Sequence, residues 1–244
     1  MRVQLLSDLH FEFHADEGAL FVDSMQPEGV DVLVLAGDIA VAGGIEAALS
    51  KFCARYASGT VIYVHGNHEF YGSDRGRVAE ETRSAARQHA NLVWLDCDSV
   101  VVHGRRFLGT PLWFRRDDEA AVFRRAMADF SRIHGFESWV YRENARALDF
   151  LNGELRRGDI VITHHLPARA SIAPQFEGNA LNSFFVCDVE ADLLQPRGAV
   201  FWMHGHTHCS LRYRSGDTTV VCNPFGYVPA DLNPEFDDAL VLEL

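Results

Sequence analysis

The sequence predicts an α/β fold built in layers, and three observations carry that prediction. Early apolar runs at Val3 to Leu6, Asp31 to Ala36 and Thr60 to Val64 are rich in Val, Ile and Leu, and each stops where carboxylate, imidazole or amide side chains begin. Segments of helical spacing separate or follow these runs. Farther along, hairpin-like spacing takes over, so mixed strand order or two packed sheets is expected rather than one purely parallel sheet.

Each element has its own reason. Val3 to Leu6 is a buried strand ending at Ser7 and Asp8, and Asp31 to Ala36 repeats it, ending at Gly37 and Asp38. Ile45, Leu49, Phe52 and Tyr56 recur at helical spacing after the turn residues Gly43 and Gly44. The third run stops at His65-Gly66-Asn67-His68; a more polar helix follows over 77–89, then a strand at NLVWL, 91–95. VVVHG, RRFLGT and LRYRSGDTTVVCN read as hairpin strands turned at Gly104 and at Ser215-Gly216-Asp217. A mainly helical segment is expected over about 115–156, with Phe136, Val140, Ala147, Leu148 and Leu151 as its buried stripe and Gly153 and Gly158 marking its end. Ile160 to Thr163 is a strand running into His164-His165-Leu166-Pro167, and 168–186 reads as a long loop beside the site. A short helix at Val189 to Leu194, a strand from Ala199 to Met203 running into His204-Gly205-His206-Thr207-His208, and a last strand at Ala239 to Leu244 complete the chain.

A chain of 244 residues that is 48% hydrophobic and 23% charged has room for one sizeable core, and no repeat or linker divides it, so a single domain over 1–244 is expected. Acidic residues outnumber basic ones by 34 to 22, a formal charge of −12. That charge speaks against a nucleic acid polymer or an anionic membrane as partner. Cys53, Cys97, Cys187, Cys209 and Cys222 form no C-x-x-C pair and read as small reduced core residues. The opening MRVQLLSDLH has no secretory apolar stretch, and no run is long enough to span a bilayer, so a soluble cytoplasmic protein is expected.

Of the 12 histidines, those at strand ends matter most. Asp8 and His10 are an i, i+2 pair just past a strand, and His206 and His208 are another. Either pair alone is a weak signal; together with Asp38, Asn67 and His164 they supply about seven candidate ligands at the ends of apolar runs. Carboxylates stabilise a divalent cation, imidazoles bias the choice toward the first transition series, and thiolates are absent from these segments. Mn, Fe, Zn, Co and Ni fit. One ion needs three or four ligands, whereas a carboxylate shared by two ions about 3.5 to 4 Å apart would account for the surplus.

DLH at 8–10, GD at 37–38, GNHE at 66–69, THH at 163–165 and GHTH at 205–208 resemble the five ordered blocks of the calcineurin-like metallophosphoesterase family. PLW at 111–113 and NPFGY at 223–227 are similar to its bacterial members. The resemblance implies a four-layer α/β/β/α sandwich with two mixed β-sheets and a binuclear metal centre, Mn or Fe being the first choice. By the same resemblance Asp8, His10, Asp38 and His208 would hold one ion. Asp38, Asn67, His164 and His206 would hold the other, with Asp38 shared. His68 matches the residue that contacts substrate and protonates the leaving oxygen, and Asp8 or another nearby acid would raise its proton affinity. In the T-H-H-x-P pattern the first histidine is the ligand, so His165 is expected to orient or pack and His204 to support its loop. Glu69 is expected to hold its loop rather than act as a base.

The chemistry implied is hydrolysis of a phosphate ester. Two cations would neutralise its oxygens and place a hydroxide opposite the leaving group. A small phosphodiester is preferred over a phosphomonoester or phosphoprotein, and a metal-dependent binding protein without turnover is the competing class. No G-x-x-x-x-G-K-[ST] or G-x-G-x-x-G motif supports nucleotide chemistry. Arg115 and Arg116 are candidate phosphate contacts with a solvated pair as the blander reading. Trp113, Phe114, Phe123, Phe130, Phe136 and Trp139 read as core, while Asn179, Asn182 and Ser183 are polar residues of the loop beside the site.

Overall fold

Alternation with a period of two gives each central strand two buried faces, and this doubles the number of layers the chain can build. The computed structural model describes residues 1–244. Strands β1 (Arg2–Leu6), β2 (Val32–Ala36), β3 (Thr60–Val64) and β4 (Leu92–Trp94) run parallel as neighbours in one sheet. A second sheet holds β5 (Asp98–Val102), β6 (Arg105–Gly109), β7 (Ile160–Ile162), β8 (Phe201–His204), β9 (Leu211–Ser215) and β10 (Thr218–Cys222), in the order β5-β6-β7-β8-β10-β9. Its four inner strands are parallel and its two edges antiparallel. A small hairpin of β11 (Gly226–Tyr227) and β12 (Asp231–Leu232) follows, and β13 (Val241–Glu243) returns antiparallel to β1. Both large sheets are therefore mixed, as the sequence predicts.

Val3, Leu5, Val32, Val34, Ile62 and Val64 of the first sheet pack against Phe107, Ile160, Ile162, Phe201, Met203 and Val221 of the second. The alternate residues Leu33, Leu35, Val61 and Tyr63 face α2 (Ile45–Arg55) and α3 (Arg75–Gln88), with α1 (Ala19–Ser24) beside them. On the far side Leu108, Val161, Trp202 and Val220 carry Ala147, Leu151 and Leu155. Three apolar seams thus separate four layers, α/β/β/α. Cys53, Cys187 and Cys222 are buried, Cys97 and Cys209 half-buried, and all five are free. No helix is long and apolar enough to cross a membrane.

The expected mainly helical stretch over 115–156 is helical in pieces rather than continuous. It divides into a 3-10 turn at Ala120–Ala126, the short α4 (Asp129–Arg132), another turn at Phe136–Ser138 and one long helix, α5 (Val140–Glu154). Gly135, at φ 64°, breaks the run, and Gly153 lies inside α5 rather than ending it. Phe136 belongs to the aromatic seam of the first core and not to the α5 stripe, from which Leu148 is also partly exposed. The segment 168–186 is also more ordered than a plain loop, with 3-10 turns at Arg169–Ser171, Pro174–Phe176 and Ala180–Phe184. At 190–194 the chain forms a π-helical turn that passes directly into α6 (Gln195–Arg197). α3 starts two residues before the predicted boundary because the Asp74 side chain caps it, accepting from the Gly76 and Arg77 amides.

Candidate metal centre

Parallel strands end together, and β1, β2, β3, β7 and β8 deliver all seven sequence-predicted ligands to one rim of the sandwich. Asp8, His10, Asp38, His206 and His208 all have positive φ, between 48° and 71°, which aims their side chains back across the strand ends. Left-handed backbone costs about 1–3 kcal/mol at a non-glycine residue and collects where a fold has a task for it. The motif glycines have a steric reason. A Cβ on Gly66 would stand 2.1 Å from Asp38 Oδ1, and one on Gly205 would stand 2.6 Å from Asp8 Oδ2.

The ligand atoms form three overlapping groups around Asp38, the middle one being His10, Asp38 and His68. Asp8, His10 and His208 gather on one side, with His10 Nε2 3.1 Å from His208 Nε2 and His208 Nε2 3.5 Å from Asp8 Oδ1. Asp38, His164 and His206 gather on the other. Asp38 Oδ2 lies 3.8 Å from His10 Nε2 and 3.3 Å from His164 Nε2, and Asn67 Oδ1 is 3.1 Å from the same His164 nitrogen. Two imidazole nitrogens facing each other at 3.1 Å need a proton or a cation between them, and buried His206 Nε2 has no hydrogen-bond partner at all. The donor set of imidazole, carboxylate and amide oxygen suits a first-row divalent ion.

Electrostatics point the same way. Burial pushes Asp8 and Asp38 up, yet the surrounding imidazoles outweigh it and hold both carboxyls below their ordinary value. Burial opposes a charge on His164, but Asp38, Asp8 and the Ala36 carbonyl raise it to about 10. Burial outweighs the carboxylates at His10 and His206 and holds both below their ordinary value, so these two rings stay neutral with a lone pair to offer a cation.

His164 and His165 take different partners, and buried His165 Nε2, like His206 Nε2, has no hydrogen-bond partner. His164 Nδ1 donates to the Ala36 carbonyl at 2.9 Å, which leaves Nε2 facing Asp38 and Asn67 as the nitrogen that would take a proton or a cation. His165 sits behind, its Nδ1 3.3 Å from the Pro111 carbonyl, its ring against those of Trp113 and His206. His204 is occupied by Ser171 Oγ at 3.0 Å and the Gly205 carbonyl at 2.8 Å. Glu69 takes three backbone amides, Asp38, Ile39 and Gly66 at 3.0, 2.8 and 2.7 Å, plus the Tyr63 hydroxyl at 2.8 Å. It ties the second strand-end loop to the third.

His68 stands in the middle group. Its backbone amide donates to Asp38 Oδ1 at 2.7 Å, its Nδ1 is 3.0 Å from Glu12 Oε1, and its Nε2 is 3.1 Å from the Tyr227 hydroxyl. Burial pushes its pKa down, but Asp38 and Glu12 outweigh that and raise it. The acid in side-chain contact is Glu12, the other nearby acid that the sequence expectation left open, rather than Asp8. Glu12 lies two residues past His10 in DLHFE and also reaches His10 Nδ1 at 3.3 Å, so the i, i+2 spacing already used for Asp8 and His10 could have found it. Tyr71 stacks on His68 with ring centroids 4.1 Å apart. Tyr227 closes the NPFGY block, which supported the family resemblance in the sequence but gave this residue no role at the site. Asp129 accepts from Asn67 Nδ2 at 2.9 Å and from the Tyr71 hydroxyl at 2.8 Å, and nothing in its sequence neighbourhood signals this.

A cavity of about 330 Å³ opens over the centre, lined among others by Asp38, Asn67, His68, Asp129, His206 and Tyr227. Arg115 and Arg116 do not reach it. Arg115 pairs with Asp192 at 3.4 Å and the Cys187 carbonyl, and Arg116 pairs with Asp118 at 2.8 Å. Trp113, Phe114, Phe136 and Trp139 are buried core, Phe130 packs on them and Phe123 is exposed. The aromatic residues facing the cavity are instead Tyr71, Phe176, Phe185 and Tyr227. Ser183 is held by Asp117 at 2.8 Å, away from the centre.

The family described as calcineurin-like phosphoesterase matches residues 1–210. An uncharacterized protein of Acanthamoeba polyphaga mimivirus is 21% identical over 261 aligned residues, covering 93% of this chain and 92% of that protein. Among solved structures, the phosphopantetheinyl hydrolase of Mycobacterium tuberculosis superposes with a TM-score of 0.74 at 17% identity, over 94% of this chain and 93% of its own. A Thermus thermophilus protein superposes with a TM-score of 0.61 at 14% identity, over 93% and 89% of the two chains. At these identities both structures speak for the shared fold.

Proposed function

Because the chain belongs to the calcineurin-like phosphoesterase family, and so to the metal-dependent phosphoric ester hydrolases, we propose that it is a binuclear enzyme acting on a phosphodiester or a related small phosphate ester. One observation carries this reading. Asp8, His10 and His208 form one group, His164 and His206 join Asp38 in another, and Asp38 Oδ2 faces an imidazole of each at 3.8 and 3.3 Å. Asp8, His10, Asp38 and His208 would hold one ion; Asp38, Asn67, His164 and His206 would hold the other. Mn or Fe is the first choice, with Zn, Co and Ni as alternatives. Bound there, the two ions would supply charge neutralisation for the phosphate oxygens and a nucleophile activated from water.

The chain's own residues do the rest. His68 meets the leaving oxygen and gives it a proton from Nε2. Glu12 accepts from His68 Nδ1, which fixes the ring's tautomer and direction, and the Tyr71 ring supports its face. Asp129 holds the Asn67 amide by its nitrogen, so the amide oxygen turns toward His164 and Asp38.

Reconstitution with Mn and elemental analysis are expected to give two ions per polypeptide, together with turnover of bis(p-nitrophenyl) phosphate. Saturation at one ion in millimolar Mn would remove the binuclear assignment. A substrate panel should set phosphodiesters beside monoesters, cyclic nucleotides and, given the name of the mycobacterial neighbour, a phosphopantetheinyl ester.

Metal content should also distinguish the paired histidines. His164→Ala is expected to lose one ion, since it removes a ring nitrogen aimed at Asp38. His165→Ala should keep both and lose about 10- to 100-fold in activity through looser packing of His206. Loss of an ion in the His165 variant alone, with circular dichroism unchanged, would reverse the assignment.

A further inference from the structure

Beside the cavity over the centre lies a second, partly open one of about 170 Å³, lined by Leu166, Ile172, Ala173, Leu181, Asn179 and Asn182. Phe176, Phe185 and Thr207 line both. The Phe185 ring lies against His206 with centroids 4.5 Å apart and a 33° tilt, so one aromatic ring separates this annex from a proposed metal ligand. The annex walls are pinned. Asn182 Nδ2 donates to the Phe176 carbonyl at 2.7 Å, the Leu166 amide to the Phe185 carbonyl at 3.1 Å, and Ser171 Oγ contacts His204 at 3.0 Å.

Charge narrows the occupant. No lysine or arginine lines either cavity, while Asp38, Asp129 and Asp231 line the first. The annex itself has no charged residue. Two ions at the centre would answer one phosphate group. A second anionic group on the substrate would meet carboxylates or a neutral apolar wall, and its desolvation would go uncompensated. We infer that the annex is a substrate subsite that takes an uncharged apolar arm of a phosphodiester, an arm of about the size of a benzene ring or a short alkyl chain. The volume is close to that of an apolar cavity of ~150 Å³ known to bind benzene. A small ligand spanning both cavities must carry its phosphate at the ligand cluster and an apolar substituent past Phe176 and Phe185. This inference rests on the phosphodiester reading above and specifies its substrate class.

The test keeps the leaving group fixed and varies the arm. Methyl, butyl and hexyl p-nitrophenyl phosphates are compared on the Mn-reconstituted protein, and the matching alkyl(methyl)phosphinates, which are monoanionic and carry no ester bond to cleave, are titrated by calorimetry. Each methylene that enters the annex is expected to raise kcat/KM and affinity by about 2- to 4-fold, levelling off near six carbons. A carboxylate at the end of the hexyl arm should erase the gain. Ala173→Leu, which fills the annex, and Leu181→Gln, which makes its wall polar, should each flatten the length series while leaving the methyl substrate near its wild-type rate. A flat series in wild type, a gain retained with the carboxylate, or an unchanged slope in a folded variant would overturn the inference. Absence of any diester turnover would instead overturn the phosphodiester reading, and the calorimetric series would still decide the annex.

Discussion

Asp38→Asn is expected to lower kcat/KM by ~10³-fold or more and to weaken the binding of both ions, while the protein stays folded. Groups that only orient a metal imidazole cost about 10- to 100-fold when removed. Asp38 is buried, faces both groups of ligands and accepts from the His68 amide at 2.7 Å, so its charge is spent on three neighbours at once. Asparagine keeps the shape and tolerates the left-handed backbone found there, φ 56°, better than other residues. The Asp38 amide also remains held by Glu69 at 3.0 Å. Elemental analysis, turnover and circular dichroism on the same sample, with exposed Asp23→Asn as control, check the claim. Near-normal turnover and metal content would take Asp38 out of the centre.

The layers were legible because each central strand is apolar on both faces and stops at polar residues. Val32, Val34 and Ala36 fill the seam between sheets while Leu33 and Leu35 fill the next one out. That double burial reads as a continuous run, DVLVLA, with the reactive side chain next in line. The same logic gathered Asp8, Asp38, Asn67 and His164 onto one rim without knowledge of the strand order. Glu69 was legible in role but not in extent; its three amide partners come from two loops that only the sheet order brings together.

What stayed hidden depends on contacts between distant segments. Asp129 lies 62 residues from Asn67, on a helix of a single turn, and looks like any acidic residue of a helical segment. Over 117–139 helix-forming residues are interrupted to point Phe130, Phe136 and Trp139 into one aromatic cluster with Trp113 and Phe114. Here burial of large rings outweighs intrinsic propensity. Arg115 is a related case: its position after PLWF suggested phosphate, but a backbone turn at Leu112 and Trp113, φ 70° and 57°, precedes it, and the side chain pairs with Asp192 instead.

His68→Ala is expected to keep nearly two ions per chain while kcat falls by about 10²- to 10⁴-fold, the usual worth of a positioned proton donor. The loop should hold, because the tie from residue 68 to Asp38 runs through the backbone amide and survives truncation of the ring. The competing account has His68 as a ligand, since its ring also gathers with His10 and Asp38. Glu12 argues against it by taking the Nδ1 proton at 3.0 Å, while Nε2, 3.1 Å from the Tyr227 hydroxyl, already sits in hydrogen-bond contact with an oxygen as a proton donor would. A proton donor matters most when the leaving oxygen is basic. Across a series of aryl phosphodiesters the deficit should therefore shrink as the conjugate-acid pKa of the leaving phenoxide falls. Parallel loss of one ion in the variant would make His68 a ligand, and an unchanged rate would remove it from the chemistry. A deficit that stayed constant along the series would leave it with the task of positioning substrate and assign the proton to another source.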